Sequence, residues 1–270
     1  MRSASPRPIS VIIPVYRNGA HLTRCLESLR AAEEQDLSIL LVDDGSPEPI
    51  RDELGWQKVQ CHRLETNQGP SRAINHGVRK ATGDWVIVLN SDVVIRPDSL
   101  YCLINALENQ PECGFAVAKL LCQKEEHTLD SAGDGLLIGG GGYRIGHGEA
   151  DRKQYDSVRP VLSGAGTAGA YRRSFLEDVG GLDEDFYGFL EDVDLSLRAQ
   201  LRGYRCLYVP SAVVYHQGGA TFNARGTKEI FRLITRNQIW VVVKNYPSTV
   251  LLRALPRIAF FQALWLALMA

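Results

Sequence analysis

Ser38-Ile39-Leu40-Leu41-Val42-Asp43-Asp44-Gly45-Ser46 decides the fold, together with its later counterpart Trp85-Val86-Ile87-Val88-Leu89-Asn90-Ser91-Asp92. Each is a short apolar run that ends on a carboxylate at a turn. Such runs read as parallel strands buried on both faces. Carboxylates at the carboxyl ends of such strands lie in the crevice where open α/β sheets bind ligands. One carboxylate suits a nucleoside and the second suits a divalent metal on a diphosphate, so the pair points to nucleotide-sugar chemistry.

Working outward, Ile9–Val15 reads as a first buried strand, and a helix follows over Ala20–Ala32 with Leu22, Cys25, Leu26 and Leu29 on one stripe. Gly45-Ser46-Pro47 turns into a short helical stretch ending at Leu54, and Val59–Leu64 reads as a third strand. Asn67-Gln68-Gly69-Pro70-Ser71 breaks the chain, with Ser71 or the preceding turn capping a helix through Lys80. Pro97 and Asp98 open the next helix, which runs to Glu108. This alternation predicts an α/β class: a Rossmann-like, mostly parallel central sheet flanked by helices. Right-handed connections put the strand ends on one edge.

After residue 111 the alternation loosens. Gly114–Leu121 reads as another strand, and Asp130–Pro160 as a flexible loop containing Gly139-Gly140-Gly141-Gly142. That run lacks the Gly-Lys-Ser/Thr ending of a phosphate loop. Ser163–Ala170 is all small residues, which lets a ligand approach the backbone. The expected organisation is a catalytic domain over 1–226, its nucleotide-binding part at about 8–110 and its acceptor-binding part at about 111–226. A helical tail occupies 227–270.

The bulk numbers exclude more than they assign. A net charge of −1 over 270 residues gives no argument for a nucleic-acid partner. Six cysteines without a C-x-x-C pair read as free thiols of a reducing compartment. Met1–Pro8 is polar, without a secretory signal, so a cytoplasmic location is expected. In the tail, Glu229–Lys244 has helical apolar spacing (Ile230, Leu233, Ile234, Ile239, Trp240, Val243). The unbroken apolar part, Ile258–Ala270, is short of the ~20 residues that a bilayer span needs. Three readings stay open there: a helix packed back on the domain, the stump of a longer protein, or an in-plane helix on the inner face of the membrane. In the membrane reading, Phe260, Phe261 and Trp265 act as interfacial anchors.

The densest chemical signal is Gly180-Gly181-Leu182-Asp183-Glu184-Asp185-Phe186-Tyr187-Gly188-Phe189-Leu190-Glu191-Asp192-Val193-Asp194. Glu191, Asp192 and Asp194 fall in the first turns of a helix ending near Gly203. Acidic residues there complement the helix dipole with no further duty. The aromatic and glycine-rich approach favours function instead, as a site wall leading to a general base. His216 ends a short apolar strand at a glycine turn, where it either joins Asp92 around a metal or phosphate or stays structural.

These segments together resemble the family 2 glycosyltransferases, with their A-type nucleotide-sugar fold. The resemblance spans about residues 8–220 and rests on seven motifs in order. They begin with Val11-Ile12-Ile13-Pro14-Val15-Tyr16, Val42-Asp43-Asp44-Gly45-Ser46, and Asn67-Gln68-Gly69 leading to Arg72 and Asn75-His76-Gly77. Gly83-Asp84-Trp85 up to Asn90-Ser91-Asp92, Gly180-Gly181-Leu182-Asp183-Glu184, Glu191-Asp192-Val193-Asp194-Leu195, and Tyr208-Val209-Pro210 up to His216 complete them. The nearest subgroup resembles the bacterial rhamnosyltransferase-like enzymes of cell-surface polysaccharide synthesis.

The resemblance implies roles by position. Pro14 and Tyr16 would line the base pocket, and Asp43 and Asp44 would hold base and ribose. Asn67, Arg72, Asn90 and Ser91 would complete the nucleotide site. Asp92 and His216 would hold Mg²⁺ or Mn²⁺, with Asn90 standing where many members carry an aspartate. Asp192 would be the base, with Glu191 as its neighbour and substitute. The implied partners are a nucleoside-diphosphate sugar and a saccharide or lipid-linked acceptor. Two other functions fit the sheet type: a non-catalytic sugar-nucleotide-binding module, and a sugar-nucleotide pyrophosphorylase.

Overall fold

The first β-branched run forms β1 (Ile9–Val15), with β2 (Leu37–Asp43) parallel on one side and β4 (Trp85–Leu89) parallel on the other. The computed structural model describes residues 8–17, 19–32, 36–52, 54–125, 127–164, 166–218 and 227–269. Helix α1 (Gly19–Arg30) joins β1 to β2, and α2 (Pro70–Lys80) joins β3 (Val59–Arg63) to β4. Beyond β4 come β5 (Val93–Ile95), α3 (Ser99–Glu108) and β6 (Cys113–Cys122). Four short strands follow: β7 (Leu129–Ser131), β8 (Asp134–Leu136), β9 (Gly142–Arg144) and β10 (Arg159–Val161). Then come β11 (Ala168–Arg172), α4 (Arg173–Val179), α5 (Glu191–Leu201) and β12 (Arg205–His216). Two helices, α6 (Thr227–Asn245) and α7 (Ser248–Met269), end the chain.

Among the described residues the main sheet runs β10-β12-β6-β11-β4-β1-β2-β3, with β5 on β12 and β7 on β6. Strand β11 is antiparallel to both β4 and β6, while β12 runs parallel to β6. The carboxyl ends of β1, β2, β4, β6 and β12 therefore share one edge. Val11 and Ile13 face α1 and α3, through Leu26, Leu29 and Leu103. Ile12 and Val88 face α2, α4 and α5, through Ile74, Phe175 and Leu195. This is the expected layered α/β fold, in which each fully buried Leu or Ile contributes about 1.5–3 kcal/mol.

Several expectations are corrected. Among the described residues of 47–54 no helix forms: Pro47 and Pro49 lack amide hydrogens, and Asp43 accepts the Ser46 and Ile50 N–H groups instead. Of the two expected caps of α2, the preceding turn is the one that serves: Gly69 holds the cap position, and the Ser71 hydroxyl is buried without a hydrogen bond. The segment Asp130–Pro160 is ordered by pairing, with β7 on β6 and β8 on β9. Its glycine run turns the β8–β9 hairpin beneath the tail. A Cβ at Gly139 would collide with the Phe261 ring, and one at Gly140 with the Gln238 carbonyl. All six cysteines are free, as expected; three are buried, and Cys61 is exposed.

The tail also differs from its apolar stripe. Ile239 and Val243 of α6 are exposed, and the inward face is Asn237, Gln238, Val241, Val242 and Asn245. Helix α7 is continuous through Pro256, and its Ser248–Leu268 stretch of 21 residues is long and apolar enough to cross a bilayer. Phe261 and Trp265 do not face outward as anchors. Phe261 packs at Gly139, and Trp265 stacks on Phe231 while donating to Thr235 Oγ1 at 2.9 Å.

Candidate active site

Strand ends gather the site. Pro14 lies in β1 opposite Val42, and Tyr16 follows β1 with the Arg17 guanidinium 5.0 Å from its ring centroid. Asp43 and Asp44 close β2, both buried. Asp43 accepts from Ser46 N (2.9 Å), Ile50 N (3.2 Å) and Arg63 Nη1 (3.1 Å). Asp44 accepts from Gln68 N and Gly69 N, each at 2.8 Å. Both aspartates thus shape loops around the crevice. Arg72 turns to Gln68 Oε1 (2.7 Å) and Glu184 Oε2 (2.9 Å).

Asn90, Ser91 and Asp92 follow β4, with Ser91 and Asp92 buried. A bulge in β12 after Val209 sets His216 opposite both Cys122 and Val93. His216 consequently stands between two carboxylates, with Nε2 3.5 Å from Asp92 Oδ1 and Nδ1 2.8 Å from Asp130 Oδ2. Asp130 is held in turn by Arg144 Nη1 at 2.6 Å, with His147 Nδ1 3.4 Å from the same oxygen. Burial lowers the His216 pKa, but hydrogen bonds to Asp130 and Asp92 outweigh it and raise it to about 9.

Among the described residues, no group of three or more His, Cys, Asp or Glu side chains forms a metal cage. Asp92 and His216 supply one hard oxygen and one imidazole, and Asp130 orients that ring as carboxylates behind ligating histidines do. This donor set fits an ion shared with a diphosphate, because Mg²⁺-type sites take few protein ligands and fill the rest with phosphate and water.

The third part of the site is the start of α5. Asn90 N–H donates to the Thr167 carbonyl at 2.9 Å, and a Cβ on the preceding Gly166 would lie 3.6 Å from Asp192 Oδ2. The chain from Gly166 to Thr167 therefore brings Asp192 beside the end of β4. Burial pushes the Asp192 carboxyl up to about 6, against the pull of the Val193 N–H and Arg144. Glu191 faces a cavity walled by Ile74, Val78, Val88, Leu182 and Leu195, and its Oε2 is shut off from solvent without a hydrogen-bond partner. Burial, then the charge of Asp192, pushes the Glu191 pKa up. Burial and Asp192 likewise push up Asp134, at the start of β8. Asp194 does structural work: it pairs with Arg198 Nη2 at 2.7 Å and accepts from Asn245 Nδ2 at 2.8 Å.

The approach to α5 is strained. Tyr187, Phe189 and Leu190 all have φ of 66°. Non-glycine residues held there cost of order 1–3 kcal/mol each, more than the ~1 kcal/mol net of a typical hydrogen bond. Tyr187 connects both halves of the site. Its hydroxyl donates to Asn67 Oδ1, and its carbonyl accepts from Ser71 N at 3.2 Å. A Cβ at Gly69 (φ 90°) would strike the Tyr187 carbonyl and ring, which is why the loop needs glycine there.

Of the expected residues, the structure places Asp92 with His216, and Asp192 beside Gly166, next to the Thr167 that pairs with Asn90 at the end of β4. Asp43 and Asp44 bound the same strand edge. Asp130, Asp134, Arg144, Tyr187 and Asn237 were not among the expected site residues. Asp130 and Asp134 sit in a segment without periodicity, and the aromatic approach was the only signal for Tyr187.

The sequence profile described as "Glycosyl transferase family 2" matches residues 10–180. The chain belongs to that family. This glycosyltransferase is 32% identical over 232 residues to the N-acetylglucosaminyl-diphospho-decaprenol L-rhamnosyltransferase of Mycobacterium tuberculosis (strain ATCC 25618 / H37Rv), covering 77% of this chain and 75% of that protein. Two solved structures share its fold. GalNAc-T7 with UDP, GalNAc and Mn²⁺ superposes with a TM-score of 0.63 at 18% identity, covering 78% of this chain and 44% of that one. The mannosyltransferase PcManGT from Pyrobaculum calidifontis, with GDP-Man and Mn²⁺, gives 0.62 at 17% identity, covering 90% and 64%. The chain thus spans under two thirds of either solved protein. Its fold is the A-type glycosyltransferase fold, in a rhamnosyltransferase-like member of family 2.

Proposed function

We propose that this glycosyltransferase moves a sugar, with inversion, from a nucleoside-diphosphate sugar to a hydroxyl of a saccharide or lipid-linked acceptor in cell-surface polysaccharide synthesis. The supporting observation is the shared edge: Asp92 faces His216 at 3.5 Å, and Asp192 lies beside Gly166, next to the Thr167 that hydrogen-bonds Asn90. The likeness to a rhamnosyltransferase acting on a decaprenol-linked sugar favours a deoxyhexose donor and a polyprenyl-diphosphate-linked acceptor.

In this reading the part at about 8–110 holds the nucleotide. Pro14 and Tyr16 flank the base, Asp43 and Asp44 bind base and ribose, and Asn67, Arg72, Asn90 and Ser91 complete the pocket. Asp92 and His216 would hold Mg²⁺ or Mn²⁺, which would supply charge neutralisation on the departing nucleoside diphosphate. Asp192 takes the acceptor hydroxyl proton as that oxygen attacks the anomeric carbon, and the bond to the diphosphate oxygen breaks on the opposite face. Its raised pKa suits a base that must accept a proton near neutral pH. Glu191, beside it, keeps its proton in the apolar cavity.

Helix α7 joins this scheme as an in-plane membrane helix. Leu252, Leu255, Phe260, Leu264 and Leu268 are exposed, with Arg253 and Arg257 exposed beside them. Its other face is docked, with Gln262 Nε2 donating to the Gly139 carbonyl at 2.8 Å. One apolar face and flanking cations suit an anionic bilayer surface.

The test is transfer itself, with nucleoside-diphosphate rhamnose, a polyprenyl-diphosphate N-acetylglucosamine acceptor and Mn²⁺ or Mg²⁺, the product anomer read by NMR. An inverted product supports the reading. Exchange with pyrophosphate would contradict it, as would absence of both transfer and donor hydrolysis across a panel of nucleotide sugars.

A further inference from the structure

The inward face of α6 carries amides where an apolar stripe is expected. Asn237 is fully buried, and its Nδ2 donates to three carbonyls of the approach to α5: Phe186 at 3.0 Å, Gly188 at 2.8 Å and Phe189 at 2.8 Å. Its Oδ1 accepts from Arg236 Nε at 3.0 Å, which fixes the orientation of the amide. Arg236 Nη2 adds bonds to the Asp185 and Phe186 carbonyls, each 3.1 Å, and its guanidinium lies 4.2 Å from the Trp240 ring centroid. Trp240 packs edge-on against Phe186, with ring centroids 5.8 Å apart.

The carbonyls that Asn237 grips belong to the segment containing the left-handed Tyr187 and Phe189 and leading into Leu190. Those conformations turn three backbone carbonyls toward one point. A buried carbonyl cluster needs donors, and a carboxamide supplies two N–H groups without adding charge. Apolar residues of the same size would remove the one side chain that ties all three carbonyls together, leaving Phe186 O only its bonds from Arg236 and Gly188 N, and let the loop relax out of its strained turn. Because Glu191 begins directly after Leu190, relaxation would shift the first turn of α5 and the carboxylate of Asp192 with it.

We propose that Asn237, steadied by Arg236, is a positioning residue for catalysis: the carboxyl-terminal helix α6 clamps the strained Phe186–Leu190 segment and so aims Asp192 at the acceptor. The proposal rests on Asp192 being the base. It places a requirement of the reaction on α6, beyond every residue that the proposed mechanism uses directly.

The experiment compares Asn237→Ala, Asn237→Gln and Arg236→Met with the wild-type enzyme, well below each melting temperature. Donor KM, kcat and the acidic limb of kcat/KM are measured, and far-UV circular dichroism checks the fold. Displacing a catalytic group by about 1 Å costs on the order of 10²-fold in rate. Asn237→Ala is therefore expected to lose about that much in kcat while donor KM stays within a few-fold. Asn237→Gln, which keeps the donors, should recover part of the loss. Arg236→Met, at an exposed position, tests the same clamp should Asn237→Ala not fold, and it should lower kcat with donor KM unchanged. Wild-type kcat in folded Asn237→Ala or Arg236→Met, or losses shared equally by kcat and donor binding, would overturn the clamp. Asp192→Asn serves as the reference: an active Asp192→Asn overturns the base, whereas an inactive one beside a fully active Asn237→Ala overturns the clamp alone.

Discussion

Asp130 backs His216: its Oδ2 lies 2.8 Å from Nδ1, so the other ring nitrogen, Nε2, is the one turned to Asp92. Asp130 fixes the ring plane and holds the Nδ1 proton, so a metal at Nε2 would have to displace only the proton shared with Asp92, and outer carboxylates of this sort tune affinity.

The Asp130→Asn variant should weaken Mn²⁺-dependent nucleotide binding about 10–100-fold. Nucleotide binding without metal should be unchanged. Titration calorimetry of the nucleoside diphosphate with and without Mn²⁺ reads both. Equal affinity of variant and wild type in the presence of Mn²⁺ would remove Asp130 from the metal arrangement.

The pH dependence follows from Asp192. A base works only when deprotonated, and burial raises this carboxyl to about 6, so kcat/KM should climb through about pH 6 and level off above it. An unperturbed aspartate would place the limb near its ordinary value of about 4. A profile already flat from pH 5 upward would show that no such raised carboxyl governs the reaction.

Glu191 carries a stability signature. Its folded pKa is raised to about 8 by burial and by Asp192, whereas the unfolded chain releases that proton near 4.5. Between those values the folded state holds more protons than the unfolded one, so Glu191 makes stability fall as pH rises from about 4.5 to about 8. Glu191→Gln removes this group, and the drop in melting temperature between pH 5 and pH 8 should shrink. An unchanged drop would place the titration elsewhere.

The bilayer reading predicts that replacing Leu252 and Phe260 together by Ser lowers co-sedimentation with anionic phospholipid vesicles. Both side chains are exposed, at 72% and 71%, so the fold and the transfer to a short water-soluble acceptor should be preserved. Sedimentation equal to wild type would exclude this face of α7 as the contact.

Much of the frame was legible because its signals are local. The runs ending at Asp43-Asp44 and Asn90-Ser91-Asp92 announce strand, turn and carboxylate within a few residues. Parallel pairing then puts them on one edge with no further information. The rest depends on distant partners. Asp130 enters the site because β7 pairs with β6 and β12 ends at His216 beside it, a register that no spacing in Asp130–Pro160 reveals. The inward face of α6 is set by carbonyls about fifty residues earlier, whose unusual φ values are not written in a helical repeat. Apolar periodicity therefore named only part of the inward face: Trp240 packs on Phe186, whereas Ile239 and Val243 are exposed and amides take the innermost positions, because buried carbonyls need donors.

The most direct test is one substitution with two readings. Asp192→Asn keeps the shape of the side chain and removes its basicity, and general-base help is worth ~10²–10⁴ in rate. Single-turnover transfer should fall by that factor, while the dissociation constant for the donor with Mn²⁺ stays at the wild-type value. Transfer at the wild-type rate by Asp192→Asn would contradict the assignment of this edge as the catalytic site.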